Sequence, residues 1–359
     1  MIPKRILVIR VGNLGDVLMV TPVIRKLKAV FPDSCLDFVT SGQARVVAEA
    51  NKYIDNIFIY RKYKRLPGAI RKFIFERQLA RNKYDLCVVL EQHPQYHRFA
   101  RNILGTKGLK IGFSSVPPTP YLDHSSAYQH HDVHAIDNGL FLLRDYLNIP
   151  LDPDDCLMDF VIPDHIEQGL KGLLPGWKGD VGKYIVIHPS CSGYQFLRTW
   201  VLANYNPVIH FLKAQGYRVF LTGASSDKTF VDQIIKDGGF VKADVEAFVD
   251  RSLYEVSFLI KHAAGVISPD TGIMHIARAF NVPTIALFGP SNPLHTGCIG
   301  SGAYVQIRND FKCGPCNYYP EYRLEYKQAC IDEGKPPACM RSISVEQVTD
   351  ALKKILAHE

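Results

Sequence analysis

The chain has 359 residues, 47% of them hydrophobic, and a formal net charge of +7. This length exceeds the usual size of one hydrophobic core, so two folded domains are expected. No run of eighteen apolar residues and no P-loop is present, and residues 1–5 lead into a predicted strand rather than a signal peptide. We therefore expect a soluble, cytoplasmic protein. Its positive charge suits an anionic partner, which could be nucleic acid, a membrane surface or a phosphorylated saccharide.

The first informative stretch follows a predicted strand from Arg5 to Val11. It reads Gly12-Asn13-Leu14-Gly15-Asp16 and precedes a helix predicted from Val17 to Val30. Asp16 thus lies at the carboxyl end of a strand, where open α/β sheets bind their ligands. The glycine spacing is GxxG and not GxGxxG, which disfavours a dinucleotide site. The residues alone leave Asp16 as either a ligand-facing carboxylate or a helix cap.

The rest of the N-terminal half alternates predicted strands and helices, which indicates a parallel sheet. The further strands are predicted at Cys35 to Thr40, Asn56 to Tyr60, Leu86 to Glu91 and Lys110 to Phe113. The proline-rich stretch from Ile149 to Pro163 is the predicted domain junction. The predicted domains are residues 1–160 and 161–343, followed by a terminal helix at 344–359.

The most basic part of the chain lies between the predicted strands at Asn56 to Tyr60 and Leu86 to Glu91. It contains one glutamate, Glu76, and nine cations: Arg61, Lys62, Lys64, Arg65, Arg71, Lys72, Arg77, Arg81 and Lys83. Helical spacing places Phe73 and Ile74 near Ile70 and many of the cations outward. Two interpretations stay open. The region is either a solvated helix face or a landing surface for anionic lipid headgroups and acceptor phosphates, to which each cation adds about 1 kcal/mol.

Four histidines occur in one polar segment: His124, His130, His131 and His134. No local spacing among them matches a zinc motif, so we predict no metal there. A helix is predicted directly after His134, from Ala135 to Leu147.

The C-terminal half repeats the architecture of the first. Predicted strands run from Tyr184 to His188 and from Tyr217 to Thr222. Arg198-Thr199-Trp200 lies in the loop region after the first of them, and Gly223 to Asp227 leads from the second into a helix.

The stretch from Gly265 to Pro293 predicts a βαβ unit. Two apolar runs, Gly265 to Ile267 and Thr284 to Phe288, flank a helix that begins near Ile273. Between strand and helix stands Asp270-Thr271-Gly272, where backbone amides at the positive end of a helix dipole suit a phosphate. We expect Asp270 to cap this helix, which leaves the amides of Thr271 and Gly272 for the ligand. An ordinary capped helix without a ligand is the alternative.

This βαβ unit resembles a known family. The run Asp270-Thr271-Gly272-Ile273-Met274-His275, together with Val282-Pro283 and Leu287-Phe288-Gly289-Pro290, is similar to the nucleotide-sugar motif of glycosyltransferase family nine, the ADP-heptose:lipopolysaccharide heptosyltransferases. The Gly-x-x-Gly-Asp segment ending at Asp16, followed by Thr21-Pro22, resembles the first motif of the same family. The resemblance covers nearly the whole chain. It implies a GT-B fold, an α/β architecture in which two Rossmann-like doubly wound domains face each other across a cleft.

The resemblance also implies roles for individual residues. Asp16 matches the proposed general base, and Asp270, Thr271, Gly272 and His275 belong to the donor-binding motif. Arg198 stands where the family has a lysine that contacts the donor phosphates; arginine keeps the charge and can bind phosphate oxygens bidentately. Asp227 is the nearest match to the acidic residue that contacts the nucleoside ribose. Lys62, Lys64 and Arg65 are predicted to bind the acceptor.

Four of the nine cysteines lie in a loop-rich, proline-rich segment. They are Cys313, Cys316, Cys330 and Cys339, a CxxC pair followed by two more thiols. In a cytosolic protein this spacing predicts a closed structural site for one zinc or iron ion. Four free thiols or a redox pair are the alternative. The resemblance adds that a related branch of heptosyltransferases, which modifies autotransporters, carries a similar cysteine-held iron.

The C-terminal segment begins with a capping box, Ser344 to Gln347, and continues as a helix to about Ala357. In GT-B folds such a helix often packs against the first domain, and we expect this packing here.

The sequence therefore predicts an inverting glycosyltransferase that moves a heptose or similar sugar from a nucleotide donor, such as ADP-heptose, to a lipopolysaccharide core or related anionic acceptor. It needs no catalytic metal and no nucleic acid, and it works in the cytoplasm or peripherally on the inner face of the inner membrane. A nucleotide-sugar epimerase of the same fold is one alternative. A basic nucleic-acid-binding protein with a four-cysteine metal site is another, and an NAD-dependent oxidoreductase is disfavoured by the missing GxGxxG.

Overall fold

The computed structural model describes residues 2–61, 66–172, 183–190, 197–316, 328–330 and 333–357. The chain divides into two compact units, residues 1–161 and 162–359. The division falls inside the proline-rich stretch in which the junction is predicted. Within the described ranges no helix is long and apolar enough to cross a membrane.

The first unit is built on a six-stranded parallel sheet. Its strands are β1 (Arg5–Ile9), β2 (Cys35–Thr40), β3 (Asn56–Ile59), β4 (Leu86–Val89), β5 (Leu109–Phe113) and β6 (His124–Ser126). Its helices are α1 (Leu14–Leu18), α2 (Thr21–Val30), α3 (Arg45–Glu49), α4 (Leu66–Ala80), α5 (Pro94–Leu104) and α6 (Ala135–Leu147). The strand order is β3-β2-β1-β4-β5-β6. All residues of β1 from Ile6 to Ile9 are fully buried, because helices cover both faces of the sheet.

The single helix predicted from Val17 to Val30 is wrong. The chain forms α1 and α2 instead, separated by Met19 and Val20. Pro22 lies in the first turn of α2, where its missing N–H costs nothing. The hydroxyl of Thr21 donates to the carbonyl of Leu18 at 2.7 Å, which satisfies the end of α1.

The second unit is built on another six-stranded parallel sheet. Its strands are β7 (Tyr184–Ile187), β8 (Arg218–Gly223), β9 (Val245–Val249), β10 (Gly265–Pro269), β11 (Thr284–Leu287) and β12 (Tyr304–Ile307). Its helices are α7 (Asp164–Leu170), α8 (Leu202–Ala214), α9 (Lys228–Asp237), α10 (Leu253–Lys261), α11 (Gly272–Ala279), α12 (Pro293–Thr296), α13 (Ala338–Arg341) and α14 (Val345–Leu356). The order is β9-β8-β7-β10-β11-β12.

Both sheets therefore repeat one strand order. Numbered within each unit, it is 3-2-1-4-5-6, the doubly wound order of dinucleotide-binding folds. The predicted α/β class with two Rossmann-like units is confirmed. In such sheets ligands bind beyond the carboxyl ends of the strands where the order reverses. Those points lie between β1 and β4 in the first unit and between β7 and β10 in the second.

The terminal helix α14 belongs to the core of the second unit. Val348, Leu352 and Ile355 lie in one buried cluster with Ile209 of α8 and Ile285 of β11. The apolar face of this helix is therefore used within its own unit; the predicted packing against the first domain is a contact between units and stays a prediction. An amphipathic helix packs where apolar surface is nearest, and here that surface is its own sheet.

Candidate active site

Asp16 lies in the first turn of α1, just beyond the carboxyl end of β1. Its Oδ2 accepts the backbone N–H of Asn13 at 2.8 Å, so the carboxylate does cap its own helix. The turn is tight, because a Cβ placed on Gly12 would lie 2.4 Å from the Cβ of Asp16. Only glycine allows this close approach. Capping therefore uses one oxygen and leaves the other to a different partner.

That partner is Arg10, the residue after β1. Its Nη2 donates to Asp16 Oδ1 at 2.9 Å, and its Nη1 donates to the carbonyl of Leu90 at 2.8 Å. Nη1 also lies 3.7 Å from Oε1 of Glu91, which accepts the N–H of Val11 at 2.7 Å. The guanidinium thus holds two carboxylates at the point where the strand order reverses.

Charge balances burial in this group. Burial lowers the pKa of Arg10, but the charges of Asp16 and Glu91 outweigh it, so the pKa is raised overall. Burial raises the pKa of Glu91, and Arg10 opposes that shift. The cation thus offsets part of the cost of burying the Glu91 carboxylate.

A small pocket opens beside Asp16. Its walls are Arg10, Asp16, Met19, Val20, Leu90, Phe113, Tyr128, Ala135 and Gly139. Burial raises the pKa of Tyr128 to about 12, so its hydroxyl keeps its proton at neutral pH. The pocket offers one carboxylate, one guanidinium and one phenol among apolar walls.

Arg10, Glu91 and Tyr128 are absent from the residues predicted from sequence. Arg10 and Glu91 both stand at the ends of predicted strands that prove to be neighbours. A charged residue at the end of an apolar run is the signal that points to them. The pairing of β1 with β4 is what brings them together, and it cannot be read from local pattern.

In the second unit, the loop after β10 leads into α11. Thr271 is the N-cap and has extended backbone angles, so the prediction that Asp270 caps this helix is wrong. The helix begins one residue later than that role requires, and the hydroxyl of Thr271 lies 3.0 Å from that of Ser268 rather than on its own helix. The first backbone N–H groups of a helix have no acceptor within the helix. Those of Gly272 and the next residues therefore point outward from the start of α11, where a ligand can accept them.

The carboxylate of Asp270 pairs with Arg198. Nη1 of Arg198 donates to the carbonyl of Asp270 at 2.8 Å and lies 3.3 Å from Oδ2. The hydroxyl of Thr296 donates to the same Oδ2 at 3.4 Å. The structure thus brings together Arg198 and Asp270, two residues that are predicted to bind the nucleotide sugar. Their contact uses one nitrogen of the guanidinium, which has five N–H groups that can donate hydrogen bonds.

Trp200 fixes the backbone that carries Arg198. Its ring is fully buried and packs edge-on against Tyr205, with centroids 5.1 Å apart. Its Nε1 donates to the carbonyl of Ile343 at 2.9 Å. A buried tryptophan with a satisfied N–H is a rigid anchor two residues from the guanidinium.

Asp227 lies in a turn that copies the one at Asp16. Its Oδ2 accepts the N–H of Ala224 at 2.8 Å, and a Cβ on Gly223 would lie 2.8 Å from the Cβ of Asp227. Its contact with a ribose stays a prediction. His275 is buried within α11.

His188 follows β7 and is a fourth residue that sequence reasoning missed. Its Nδ1 lies 3.0 Å from the hydroxyl of Thr222. Burial lowers its pKa to about 4, although the charge of Asp227 opposes the shift. The imidazole is therefore neutral at physiological pH, at the point where the second sheet reverses its order.

The other predicted site residues divide into two groups. Lys62, Lys64 and Arg65 lie outside the described residues. The four cysteines of the metal prediction are described: burial raises the pKa of Cys339 to about 12, and the nearby thiols of Cys316, Cys313 and Cys330 add to the rise. The other three thiols thus lie close enough to Cys339 to affect its charge. Across the part of the chain that the structure describes, no three His, Cys, Asp or Glu side chains are arranged to hold a metal ion.

Comparison with known proteins finds heptosyltransferases both by sequence and by structure. Residues 73–327 match the model of glycosyltransferase family 9 (heptosyltransferase). Lipopolysaccharide heptosyltransferase 3 of Escherichia coli is 28% identical over 297 residues, which cover 77% of this chain and 81% of that protein. The structure of E. coli ADP-heptose LPS heptosyltransferase II superposes with a TM-score of 0.76 at 17% identity, covering 99% of each chain. The iron-containing dodecameric glycosyltransferase TibC of enterotoxigenic E. coli superposes with a TM-score of 0.56 at 15% identity, covering 99% of this chain and 77% of that one.

Proposed function

Because the chain belongs to glycosyltransferase family 9 (heptosyltransferase) and has the GT-B fold, we propose that it transfers a heptose, with inversion, from ADP-heptose to a lipopolysaccharide core acceptor. The observation that carries this proposal is the setting of Asp16. It is a carboxylate at the ligand-binding edge of the first sheet, held in place by Arg10 and Asn13.

Asp16 acts as the general base. Each carboxylate oxygen has two lone-pair sites, and each accepts one hydrogen bond from the residues named above, so a site on each remains for the acceptor hydroxyl. The hydroxyl oxygen bonds to the anomeric carbon while the bond from that carbon to the diphosphate breaks. Asp16 takes the hydroxyl proton, and the electron pair of the broken bond leaves with ADP.

The start of α11 and Arg198 receive the diphosphate. The amides near Thr271 and Gly272 lie at the positive end of the helix, and Arg198 has donors left after its bonds to Asp270. Together they stabilise the charge that grows on the leaving group. Because backbone amides and Arg198 stabilise this charge, we propose that no metal takes part in the transfer. We propose that Asp227 contacts the ribose of the nucleoside. His275 is proposed to line the donor site near the start of α11.

We propose that Lys62, Lys64 and Arg65 bind phosphates of the acceptor, since they form a dense cationic run directly before α4. The reaction then takes place on the cytoplasmic face of the inner membrane, where a growing glycolipid is accessible.

Cys313, Cys316, Cys330 and Cys339 are proposed to hold one structural zinc or iron ion. Four thiols are the donor set that either ion takes in a closed tetrahedral site. Their mutual electrostatic influence supports the proposal, because thiolates that repel one another are stabilised by a shared cation. TibC, a protein of the same fold, contains iron.

The test of the transfer is the variant Asp16→Asn, which keeps the size of the side chain and removes its basicity. With ADP-heptose and a heptose-deficient core acceptor, we expect kcat to fall by about 10²- to 10⁴-fold. The matched control is Asp33→Asn, at an exposed aspartate of the same unit. Transfer by Asp16→Asn at nearly the wild-type rate would overturn the proposal. Analysis of the product separates transfer from epimerisation of the donor.

A further inference from the structure

The outward face of α4 carries three large apolar side chains. Ile70, Phe73 and Ile74 are 60%, 59% and 59% exposed. Their spacing of three and four residues places them on one side of the helix, where they form a contiguous patch. We call these three residues the α4 patch.

The opposite face of α4 already makes the packing that holds the helix in place. Leu79 is fully buried, and Phe75 stacks on Phe99 of α5 with ring centroids 5.8 Å apart. The core therefore does not need the α4 patch. Contiguous exposed apolar surface of this kind marks a surface for interaction.

The charges around the α4 patch have one sign. Arg71, Arg77 and Arg81 are exposed, and the guanidinium of Arg77 lies 5.6 Å from the ring centre of Phe73. The one acidic residue in the sequence of α4, Glu76, is 8% exposed; it accepts from Asn102 at 3.1 Å and lies 3.7 Å from Lys72. The helix thus presents apolar and cationic groups outward and turns its carboxylate inward.

This combination indicates the partner. A second copy of the chain would bring the same cations against these, so electrostatics disfavours self-association through this face. A bilayer with anionic headgroups matches both features, because apolar side chains enter the boundary of the acyl chains while arginines contact phosphates.

We propose that the α4 patch and its flanking arginines form a docking surface for an anionic lipid bilayer. The proposal rests on the function above, in which the acceptor is a glycolipid. The surface holds the first unit at the membrane, where acceptor molecules are concentrated. It needs no membrane-spanning segment, and its strength falls as salt rises because part of the attraction is electrostatic.

The test is sedimentation of the full-length protein with vesicles. Vesicles of phosphatidylethanolamine and phosphatidylglycerol are compared with vesicles of phosphatidylcholine alone. The double variant Phe73→Ser/Ile74→Ser removes apolar surface and keeps the charge, and Arg71→Gln/Arg77→Gln does the reverse. The matched control, Val241→Ser, changes a valine that is 59% exposed in the second unit.

We expect wild-type protein and the control to bind the anionic vesicles at least tenfold more tightly than the neutral ones. Each double variant should lose about tenfold of that affinity, and the arginine variant should also lose its salt dependence. Melting curves check that the variants fold, and Ile70→Ser provides a milder change if the double variant does not.

Two outcomes would overturn the docking surface. One is vesicle binding by Phe73→Ser/Ile74→Ser equal to wild type. The other is a dimer of the wild type, detected by light scattering, that this variant abolishes. Transfer to a soluble, deacylated acceptor keeps the two proposals apart: the serine variant should retain it, whereas failure of the wild type to transfer would count against the function and not against the surface.

Discussion

Arg10 sits between two carboxylates that would otherwise repel each other. Its contacts reach Asp16 in the helix after β1 and Glu91 after β4. Further titratable groups near these three are Tyr128, Tyr96 and His93. The hydrogen bond from Arg10 sets the direction in which Asp16 points. We regard Arg10 as a positioning residue for the proposed base.

Arg10→Met should therefore lower the rate. The carboxylate of Asp16 loses the donor that fixes one of its oxygens, so we expect kcat/KM at neutral pH to fall at least about tenfold. Arg10→Lys keeps the positive charge and should recover part of this loss. A kcat/KM of Arg10→Met equal to that of wild type would contradict the positioning role.

His188 predicts a dependence of stability on pH. Its pKa is lowered by burial to about 4, whereas an unfolded histidine titrates near about 6.5. As pH falls, the unfolded state binds the proton first. The stability of the neutral, folded form is thus complete above about pH 6.5 and is lost progressively between about pH 6.5 and 4.

Urea unfolding at several pH values measures this loss. Across that pH window, the free energy of unfolding of the wild type should fall by about 2 to 3 kcal/mol more than that of His188→Asn. His165→Asn, at an exposed histidine of the second unit, is the control and should behave like wild type. Parallel curves for all three proteins would show that His188 is not buried in the neutral form.

At the scale of elements, the end of the cysteine segment packs against the turn that follows β11. A Cβ on Gly289 would lie 2.6 Å from the sulfur of Met340 and 3.0 Å from that of Cys339. Met340 is fully buried. Cys339 and Met340, at the end of this segment, are therefore part of the wall of the second unit.

Removal of the proposed metal should loosen this wall. We expect about one zinc or iron per chain in protein purified without chelator, and a lower Tm after chelation or in Cys316→Ser, since metal binding contributes to folding. Cys156→Ser, in a solitary cysteine of the first unit, should leave Tm and metal content unchanged. Metal content near zero, with four thiols that react in the native protein, would leave the alternative of free thiols.

At the scale of the whole molecule, the proposed donor site and the proposed base, Asp16, belong to different units. ADP at a hundredfold its Kd should add about 2.7 kcal/mol to the stability of the protein that binds it. Arg198→Ala should weaken ADP about tenfold or more, because it removes a charged donor to the phosphates. Asp16→Asn should bind ADP as wild type does. Equal weakening by both variants would contradict this division of labour, and calorimetric titration decides it.

The family and the fold could be predicted because their signals are local. The run from Asp270 to Gly289 and the turn before Asp16 each carry their spacing within a few residues, and the match to family 9 confirms the family that they indicate. Short edge strands such as β6 and β12 were missed, since three or four residues give too little periodicity.

Partners that are distant in sequence could not be predicted. Asp270 was expected to cap α11, yet it pairs with Arg198, 72 residues away. The contact of Arg10 with Glu91 depends on β1 lying next to β4. In both cases the strand order decides the contact, and strand order is a property of the whole sheet.

The position of α14 has a consequence for synthesis. Leu352 and Ile355 fill the core beneath β11, and the carbonyl of Ile343 accepts the N–H of Trp200. The strands of the second sheet are thus translated well before α14, the helix that completes their core. Until α14 is made, the apolar face of α8 stays exposed. The first unit has a buried core made of its own residues, so it can fold while the ribosome is still making the second. A nascent chain arrested before α14 should accordingly resist protease only in its first half.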